Sequence, residues 1–271
     1  MHTLGVGSAL RLVALLLLSC SLSSTHALSV APVTERIVFS HANSPERLKS
    51  AAQAFVKAYW DNGKQPLPKS LVKELTQQHY DDMQNRYADL VGARRLQSRL
   101  ILGMDESVDQ NILGMVGCEM ALIDVAGEQV LSRRKGEAMF KDRLNSMGAI
   151  QRNKLRRAPL SELTAALFPG NYHLAAVLSN LAISPNYRRR GLAKSLCSQV
   201  ESVAESWSDV GGRLLLQVEA MNIPAMELYA SLGFEELWRD EESSATRVVV
   251  QGESPCIVSV PTTLICMGKS L

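Results

Sequence analysis

The sequence predicts an α/β protein in which helices flank a mixed sheet. Strand-like apolar runs alternate along the chain with segments of helical periodicity, which is typical of this class. Apolar residues make up 46% of the 271 positions, enough for a sizeable core. Helix start signals and glycine or proline stops separate the segments. The predicted order of elements is β-α-α-β-β-β-α-β-α-β-β.

The first half of the domain is predicted to contain three strands and two helices. Ser44 can cap a helix whose first turn holds Pro45 and Glu46, because a proline and an acidic residue both suit that position. The predicted strands are 36–40, 98–104 and 112–123, and the predicted helices are 45–60 and 68–90.

The second half is predicted to contain four strands and two helices. Pro185 stops the strongest strand, and glycines at 211–212 and at 233 end the two helices. The predicted strands are 172–184, 213–219, 234–238 and 262–267, and the predicted helices are 192–207 and 225–232.

A basic insertion interrupts this pattern between the third and fourth strands, over residues 124–170. Residues 131–160 carry nine Arg or Lys against Glu137 and Asp142, a local charge of +7, and are predicted to be helical. Two interpretations stay open. The insertion is a solvated excursion, because charge runs usually serve solvation, or it forms a wall that favours acidic residues in a partner.

Composition excludes several classes of protein. The formal net charge is only +2, and aromatic residues are 5%, which argues against a nucleic-acid binder that relies on charge or base stacking. The five cysteines show no CxxC spacing, and the sequence has no metal-ligand motif, so no metal site is expected. The sequence carries no indication of oligomeric state.

The N-terminal segment resembles a secretory signal peptide spanning residues 1–27. Arg11 precedes an apolar run from Leu12 to Leu18, and Thr25-His26-Ala27 provides a cleavage site. The run is too short to span a bilayer, so no stable membrane span is expected. Residues 28–35 are then a short presequence remainder or linker, and residues 36–271 are the folded domain.

A loop between a strand and a helix, residues 181–193, has the features of a phosphate site. A helix N-terminus presents free N–H groups, three arginines add positive charge, and the small residues Gly191 and Ala193 allow close approach to the backbone. The GxGxxG pattern of dinucleotide-binding proteins is absent. A P-loop needs glycines where Arg188 and Ala193 stand.

The pattern R-x-x-G-x-A in this loop resembles the acetyl-coenzyme A site of the GNAT superfamily of N-acetyltransferases. Asn222, Ala225, Tyr229 and the pair 233–234 match the second motif of that family, N-x-x-A-x-x-x-Y-x-x-x-G-F. The close similarity covers residues 175–236. It implies a mostly antiparallel central sheet flanked by helices, with acetyl-CoA as cosubstrate.

The resemblance also implies roles for individual residues. Leu181 and Ile183 offer main-chain groups to the pantetheine arm, Asn222 contacts that arm, and Tyr229 lies near the thioester sulfur. The pyrophosphate is expected at the backbone N–H groups of Arg188, Arg189, Arg190, Gly191, Leu192, Ala193 and Lys194.

The chemistry of acetyl transfer adds candidates for proton transfer. A phenol can protonate or hydrogen-bond the leaving sulfur, which suits Tyr229, although a tyrosine on an apolar helix face more often packs. No residue is an obvious base for the amine. Glu119 is one candidate, and Asn180 and His173 are others that could act through water. Cys197 is interpreted as a core cysteine.

The predicted activity is direct transfer of an acetyl group from acetyl-CoA to a primary amine in a ternary complex. The acceptor is expected to be a protein N-terminal α-amine or lysine. The alternatives are a small-molecule amine acetyltransferase and a non-catalytic acyl-CoA-binding sensor. Residues 27–32 resemble the bipartite plastid presequence of algae with secondary plastids, and the chain resembles plastid-type GNAT enzymes, so a plastid address is expected, with the ER or secretory pathway as the alternative.

Overall fold

The computed structural model describes residues 36–60, 67–88, 96–107, 111–251 and 254–271. These residues all belong to one compact unit, Glu35–Leu271. The expected signal peptide at 1–27 and the linker at 28–35 lie outside the described residues.

The chain forms ten strands, seven α-helices and a short 3-10 helix, Pro185–Tyr187, within the described residues. The strands are β1 Ile37–His41, β2 Ser98–Asp105, β3 Ile112–Asp124, β4 Gln129–Val130, β5 Tyr172–Ile183, β6 Arg213–Glu219, β7 Glu235–Asp240, β8 Ser244–Gln251, β9 Ser254–Pro261 and β10 Leu264–Ser270. The helices are α1 Pro45–Tyr59, α2 Lys69–Tyr87, α3 Arg133–Asn145, α4 Ala149–Arg156, α5 Leu160–Leu167, α6 Leu192–Glu205 and α7 Ile223–Ser231.

The local signals act as expected at the helix ends. Ser44 caps α1 by accepting a hydrogen bond from the Arg47 N–H, with Pro45 in the first turn. Gly191 caps α6 in the left-handed conformation at φ 86°, and Asn222 caps α7 by accepting from the Ala225 N–H. These caps place the ends of α6 and α7, which the candidate site needs.

The main sheet has the strand order β1-β2-β3-β5-β6-β10-β7, and β4 pairs with β3 at one side. Every neighbouring pair is antiparallel except β5 and β6, which run parallel. This confirms the expected mixed and mostly antiparallel sheet. The single parallel pair follows from the crossover through α6, which returns the chain to the same end of the sheet.

Alternating side chains divide the core between the two faces of the sheet. Face A carries Val116, Cys118 and Met120 of β3, which pack with α3, α5, α6 and α7. Face B carries Met115, which packs with Ala51 of α1 and Met83 of α2. Residues next to each other on β3 therefore reach different sets of helices.

The basic insertion is a packed part of the domain. Phe140, Leu144, Leu155 and Leu163 are buried and join the core on face A. Gly136 lets α3 approach the segment before β2 closely, since a Cβ there would lie 3.0 Å from the Leu96 side chain. The interpretation of the insertion as a solvated excursion is therefore wrong, because its apolar side chains complete the core while most of its charged side chains are exposed.

The hairpin of β8 and β9 is an addition that the sequence analysis left unassigned. It follows β7 and precedes β10 along the chain, and it forms a separate two-stranded sheet. Val248 and Ile257 pack against Leu71 and Leu75 of α2, so the hairpin covers the helices of face B. Within the described ranges, no helix is both long and apolar enough to cross a membrane.

Candidate active site

The central feature of the candidate site is the divergence of β5 and β6. The two strands pair only from Ala176 to Leu178 on β5, opposite 214–216 on β6. Beyond that point β5 remains paired with β3 as far as Ile183, and β6 remains paired with β10 as far as Glu219. The strands therefore open a gap at one end of the sheet, and Leu181 and Ile183 lie on its β5 side.

The N-terminus of α6 lies directly after this stretch of β5. Its intrahelical bonding begins with the Ser195 N–H donating to the Gly191 carbonyl, so the N–H groups of Leu192, Ala193 and Lys194 point out of the helix end. A Cβ at Gly191 would meet no atom within 4 Å. The helix end is thus open, and its dipole and N–H groups suit an anion such as a pyrophosphate.

The arginines of the loop have different surroundings. The Arg188 guanidinium donates to the carbonyls of Ile183 and Ala58 at 3.2 and 2.6 Å, and so ties the loop to α1. The Arg188 N–H donates to the Pro185 carbonyl, which makes it part of the turn and not the free donor that was expected. Arg189 is exposed at φ 63°, and the Arg190 guanidinium lies over the Tyr187 ring.

The second motif places Asn222 and Tyr229 on α7. The Asn222 side chain caps the helix, with its Oδ1 accepting from the Ala225 N–H at 3.4 Å. Tyr229 is buried in the face A core and meets the Phe234 ring edge to face. Burial, reinforced by Cys197, raises the pKa of Tyr229, so the phenol stays protonated at neutral pH and keeps the proton that an acid needs.

A buried carboxylate network lies on face B, beside the last paired residues of β5. Glu119 Oε1 accepts from Arg86 at 2.9 Å, from the Tyr87 hydroxyl at 3.1 Å and from the Ser179 hydroxyl at 2.7 Å. Tyr87 also accepts a hydrogen bond of 2.9 Å from the Asn180 amide. The structure therefore brings together two of the three predicted base candidates, Glu119 and Asn180.

The third candidate lies elsewhere. His173 is at the start of β5 and pairs with Ile123, seven residues before Asn180 and so about 23 Å away along the strand. Burial, reinforced by Arg213, lowers its pKa. His173 is therefore not part of the network. Cys197 is buried, and burial with the nearby Glu201 raises its pKa to about 12, in agreement with its interpretation as a core cysteine.

The tyrosine at the centre of the network, Tyr87, was not predicted from the sequence. Tyr87 ends α2 and reaches Glu119 across 32 positions of sequence, a contact that periodicity does not reveal. One signal was present. Gly117 interrupts an apolar strand, and a glycine within a strand often marks the close approach of another group. A Cβ at Gly117 would lie 2.1 Å from the Tyr87 oxygen.

A second polar group missed by the sequence analysis lies at the end of β6. Glu219 forms an ion pair with Arg247 of β8, and the Tyr59 hydroxyl donates to Glu219 at 3.3 Å. These side chains connect α1, β6 and the hairpin at the open end of the gap. Among the described residues, no group of three His, Cys, Asp or Glu side chains is arranged to hold a metal ion.

Comparison with known proteins finds similarity in the region that carries the two motifs. Residues 164–234 match the family described as the Acetyltransferase (GNAT) family. The chain is 41% identical over 61 residues to a [Ribosomal protein bS18]-alanine N-acetyltransferase of Salmonella typhimurium. That match covers 22% of this chain and 40% of the relative's length. Both findings confirm the resemblance that the two motifs indicated.

Solved structures of similar proteins include Arabidopsis thaliana NAA60 in complex with acetyl-CoA, at 16% identity and a TM-score of 0.44, covering 87% of this chain and 99% of that chain. The ribosomal-protein-S18-alanine N-acetyltransferase from Escherichia coli matches at 15% identity and a TM-score of 0.42, covering 87% of this chain and 94% of the other.

Proposed function

We propose, from the premise that the chain contains a GNAT acetyltransferase domain, that it transfers an acetyl group from acetyl-CoA to a primary amine. One structural observation carries the proposal. The gap between β5 and β6 has an open, glycine-capped helix end on one side and a buried carboxylate network on the other. A pyrophosphate and a reacting amine could therefore both bind at this opening.

The residues around the gap fit acetyl-CoA. The N–H groups of Leu192, Ala193 and Lys194 would bind the pyrophosphate, with Arg189 and Arg190 supplying positive charge. The main chain of Leu181 and Ile183 would pair with the amides of the pantetheine arm as an added strand. The free Nδ2 of Asn222 would be the group that meets the arm, since its Oδ1 caps α7.

Glu119 is proposed as the general base. Its charge is held by Arg86 and two hydroxyl donors, and it is 6% exposed, so the proton must arrive through Ser179 or a water molecule. The neutral amine then attacks the thioester carbonyl. The new C–N bond forms, the C–S bond breaks, and the amine proton passes toward Glu119.

Tyr229 is proposed as the acid that protonates the leaving thiolate. Because burial keeps its phenol protonated, the side chain can supply a proton over the whole neutral range. Cys197 is buried on the helix beside it, and its high pKa is unsuited to a nucleophile. This supports direct transfer in a ternary complex without an acyl-enzyme.

The proposed acceptor is a protein N-terminal α-amine or a lysine. The name of the Salmonella typhimurium relative, an alanine N-acetyltransferase acting on a ribosomal protein, supports this class. The open end of the gap carries hydrogen-bond donors and acceptors from Tyr59, Glu219 and Arg247, which suit a peptide main chain. A small amine would need fewer such groups.

Product formation on a peptide library tests the proposal. Peptides with free or blocked N-termini, each with and without a lysine, are offered with acetyl-CoA, beside polyamines and aminoglycosides. We expect acetylated peptides, lost in Glu119→Gln but not in the control Glu162→Gln on an exposed turn of α5. If the enzyme prefers every small amine over every peptide, the acceptor is a small-molecule amine and not a protein. Binding of acetyl-CoA without formation of any product would indicate a non-catalytic acyl-CoA-binding sensor.

We further propose that residues 1–35 direct the chain to a plastid. The signal-peptide layout, followed by 28–32 with its Leu-Ser-Val-Ala-Pro sequence, supports this address. A plastid would also supply acetyl-CoA, which a secreted enzyme would lack. A fluorescent fusion of residues 1–50 in an alga with secondary plastids should mark the plastid. A reticular or extracellular signal would favour the ER or secretory pathway instead.

A further inference from the structure

Strand β5, the fourth strand in the order of the main sheet, contains a bulge at the point where it leaves β6. Met115 on β3 pairs with Ala182, but Gly117 pairs with Ser179. Asn180 and Leu181 therefore lie opposite the single residue Val116. Such a bulge bends a strand and redirects its groups, and here it comes two residues after the last β5–β6 pair.

Asn180 occupies the left-handed region at φ 51°. This conformation costs energy for a residue with a side chain, and asparagine tolerates it better than most. Such strain persists only where the surroundings hold it in place. The Asn180 side chain does not extend into solvent, because its amide donates to the Tyr87 hydroxyl at 2.9 Å.

Tyr87 is itself rigidly held. Its hydroxyl is buried and donates to Glu119, and it also lies 2.9 Å from the Ser179 hydroxyl. The missing side chain of Gly117 leaves the space that the Tyr87 oxygen fills, so β3 is shaped to receive it. Burial, and then the charge of Glu119, raises the pKa of Tyr87 well above its ordinary value, so the hydroxyl remains neutral.

We propose that Tyr87 is a positioning residue whose hydroxyl holds Asn180 in the left-handed bulge, and that this fixes the β5 main chain where the acyl group binds. This inference deepens the proposed function and rests on it. Tyr87 does not exchange protons in this role. It acts through Asn180, because the bulge sets the course of the backbone of 180–181, which would then lie beside the thioester.

The first test compares Tyr87→Phe with Tyr80→Phe, a control on the same helix whose hydroxyl accepts a local hydrogen bond from Gln84. Phenylalanine keeps the packing and removes the hydroxyl. We expect kcat to fall by about 10²-fold in Tyr87→Phe, since a misplacement of about 1 Å can have that effect. The acetyl-CoA Kd should stay within about threefold, and Tyr80→Phe should match the wild type.

The second test asks whether Tyr87 acts through Asn180. Glycine adopts φ 51° without strain, so Asn180→Gly preserves the bulge while removing the side chain. In that background Tyr87→Phe should have no further effect on kcat. An equal loss of kcat in both backgrounds would overturn the proposal, because Tyr87 would then act by another route.

A crystal structure of Tyr87→Phe separates this inference from the proposed function. We expect Asn180 to leave the left-handed region and the register of β5 against β3 to change. An unchanged bulge in that variant overturns the positioning role whether or not the protein acetylates anything. A wild-type protein without any turnover overturns the proposed function, and the structure of the variant still decides the role of Tyr87.

Discussion

Two buried phenols illustrate how environment divides similar residues into different roles. Tyr229 is packed among apolar side chains with Phe234 against its ring, whereas the Tyr87 hydroxyl is surrounded by polar partners. Burial raises the pKa of both. The Tyr87 hydroxyl is committed to hydrogen bonds within the protein, so of the two phenols Tyr229 is the one proposed as the acid.

Tyr229→Phe should lower kcat by about 10²–10⁴-fold, the usual loss for a general acid, with little change in stability. The matched control is Tyr172→Phe, at the opposite end of β5, where the ring meets Phe168. Because the raised pKa keeps Tyr229 protonated, the wild-type rate should not fall between pH 7 and pH 9 through its ionisation. If the kcat of Tyr229→Phe stays within about threefold of the wild-type value over that range, the role of Tyr229 is packing and not proton donation.

The candidate site residues that the sequence predicts are those within local motifs. Gly191, Asn222 and Tyr229 follow fixed spacings, and the structure places them at helix ends and on α7 as the pattern requires. Tyr87 and Ser179 could not be found in this way, because their partner Glu119 is distant in sequence. The pairing of β3 with β5 and the packing of α2 create that network.

At the scale of elements, the N-terminus of α6 depends on a single glycine. Gly191→Val should abolish or strongly weaken acetyl-CoA binding, because a β-branched residue strains φ 86° and extends into the open space at the helix end. Gly170→Val is a control with φ 77° and equally open space. Each variant should lose about 1–2 kcal/mol of unfolding free energy, and only Gly191→Val should lose affinity in calorimetry. Unchanged affinity in a folded Gly191→Val protein would remove the loop from the binding site.

The helices of the insertion should behave as part of the core. Phe140 is 1% exposed, and Phe140→Ala should reduce the free energy of unfolding by about 3–5 kcal/mol in a denaturant titration. Ile150 on α4 is 90% exposed, and Ile150→Ala should change the free energy of unfolding by less than about 0.5 kcal/mol. A similarly small effect at Phe140 would mean that the insertion is not packed against the sheet in solution.

Most elements could be predicted from sequence because their signals are local. The strand at 213–219 coincides with β6, and α1 and α6 begin at the predicted residues. The hairpin of β8 and β9 was missed although Val248, Val249 and Ile257 are residues typical of strands. Its place on α2 depends on tertiary packing, which no local pattern specifies.

At the scale of the whole domain, most of the basic insertion packs on the face of the sheet opposite the carboxylate network. The helices α3 and α5 pack on face A with Cys118 and Met120, while Glu119 between them faces α2. At the start of α3, Arg133 donates to the Arg86 carbonyl and to the Ser98 hydroxyl, so the insertion also contacts the elements that hold Glu119. Face B, bounded by α1, α2 and the hairpin, is the side from which an acceptor would approach Glu119.

Ligand-induced stabilisation of the whole domain gives a further prediction. A ligand that binds only the folded state at 100 times its Kd adds about 2.7 kcal/mol, which for a domain of this size raises the Tm by about 5–10 °C. Acetyl-CoA and CoA should both produce this shift, since both carry the pyrophosphate that the α6 N-terminus suits. NAD should not, because its nicotinamide half cannot follow the β5 edge as a pantetheine arm would. Gly191→Val provides the control, and its Tm should be insensitive to all three compounds. A shift of equal size with NAD would show that the loop binds pyrophosphates without selecting the pantetheine arm, and the absence of a shift with CoA would contradict the binding site itself.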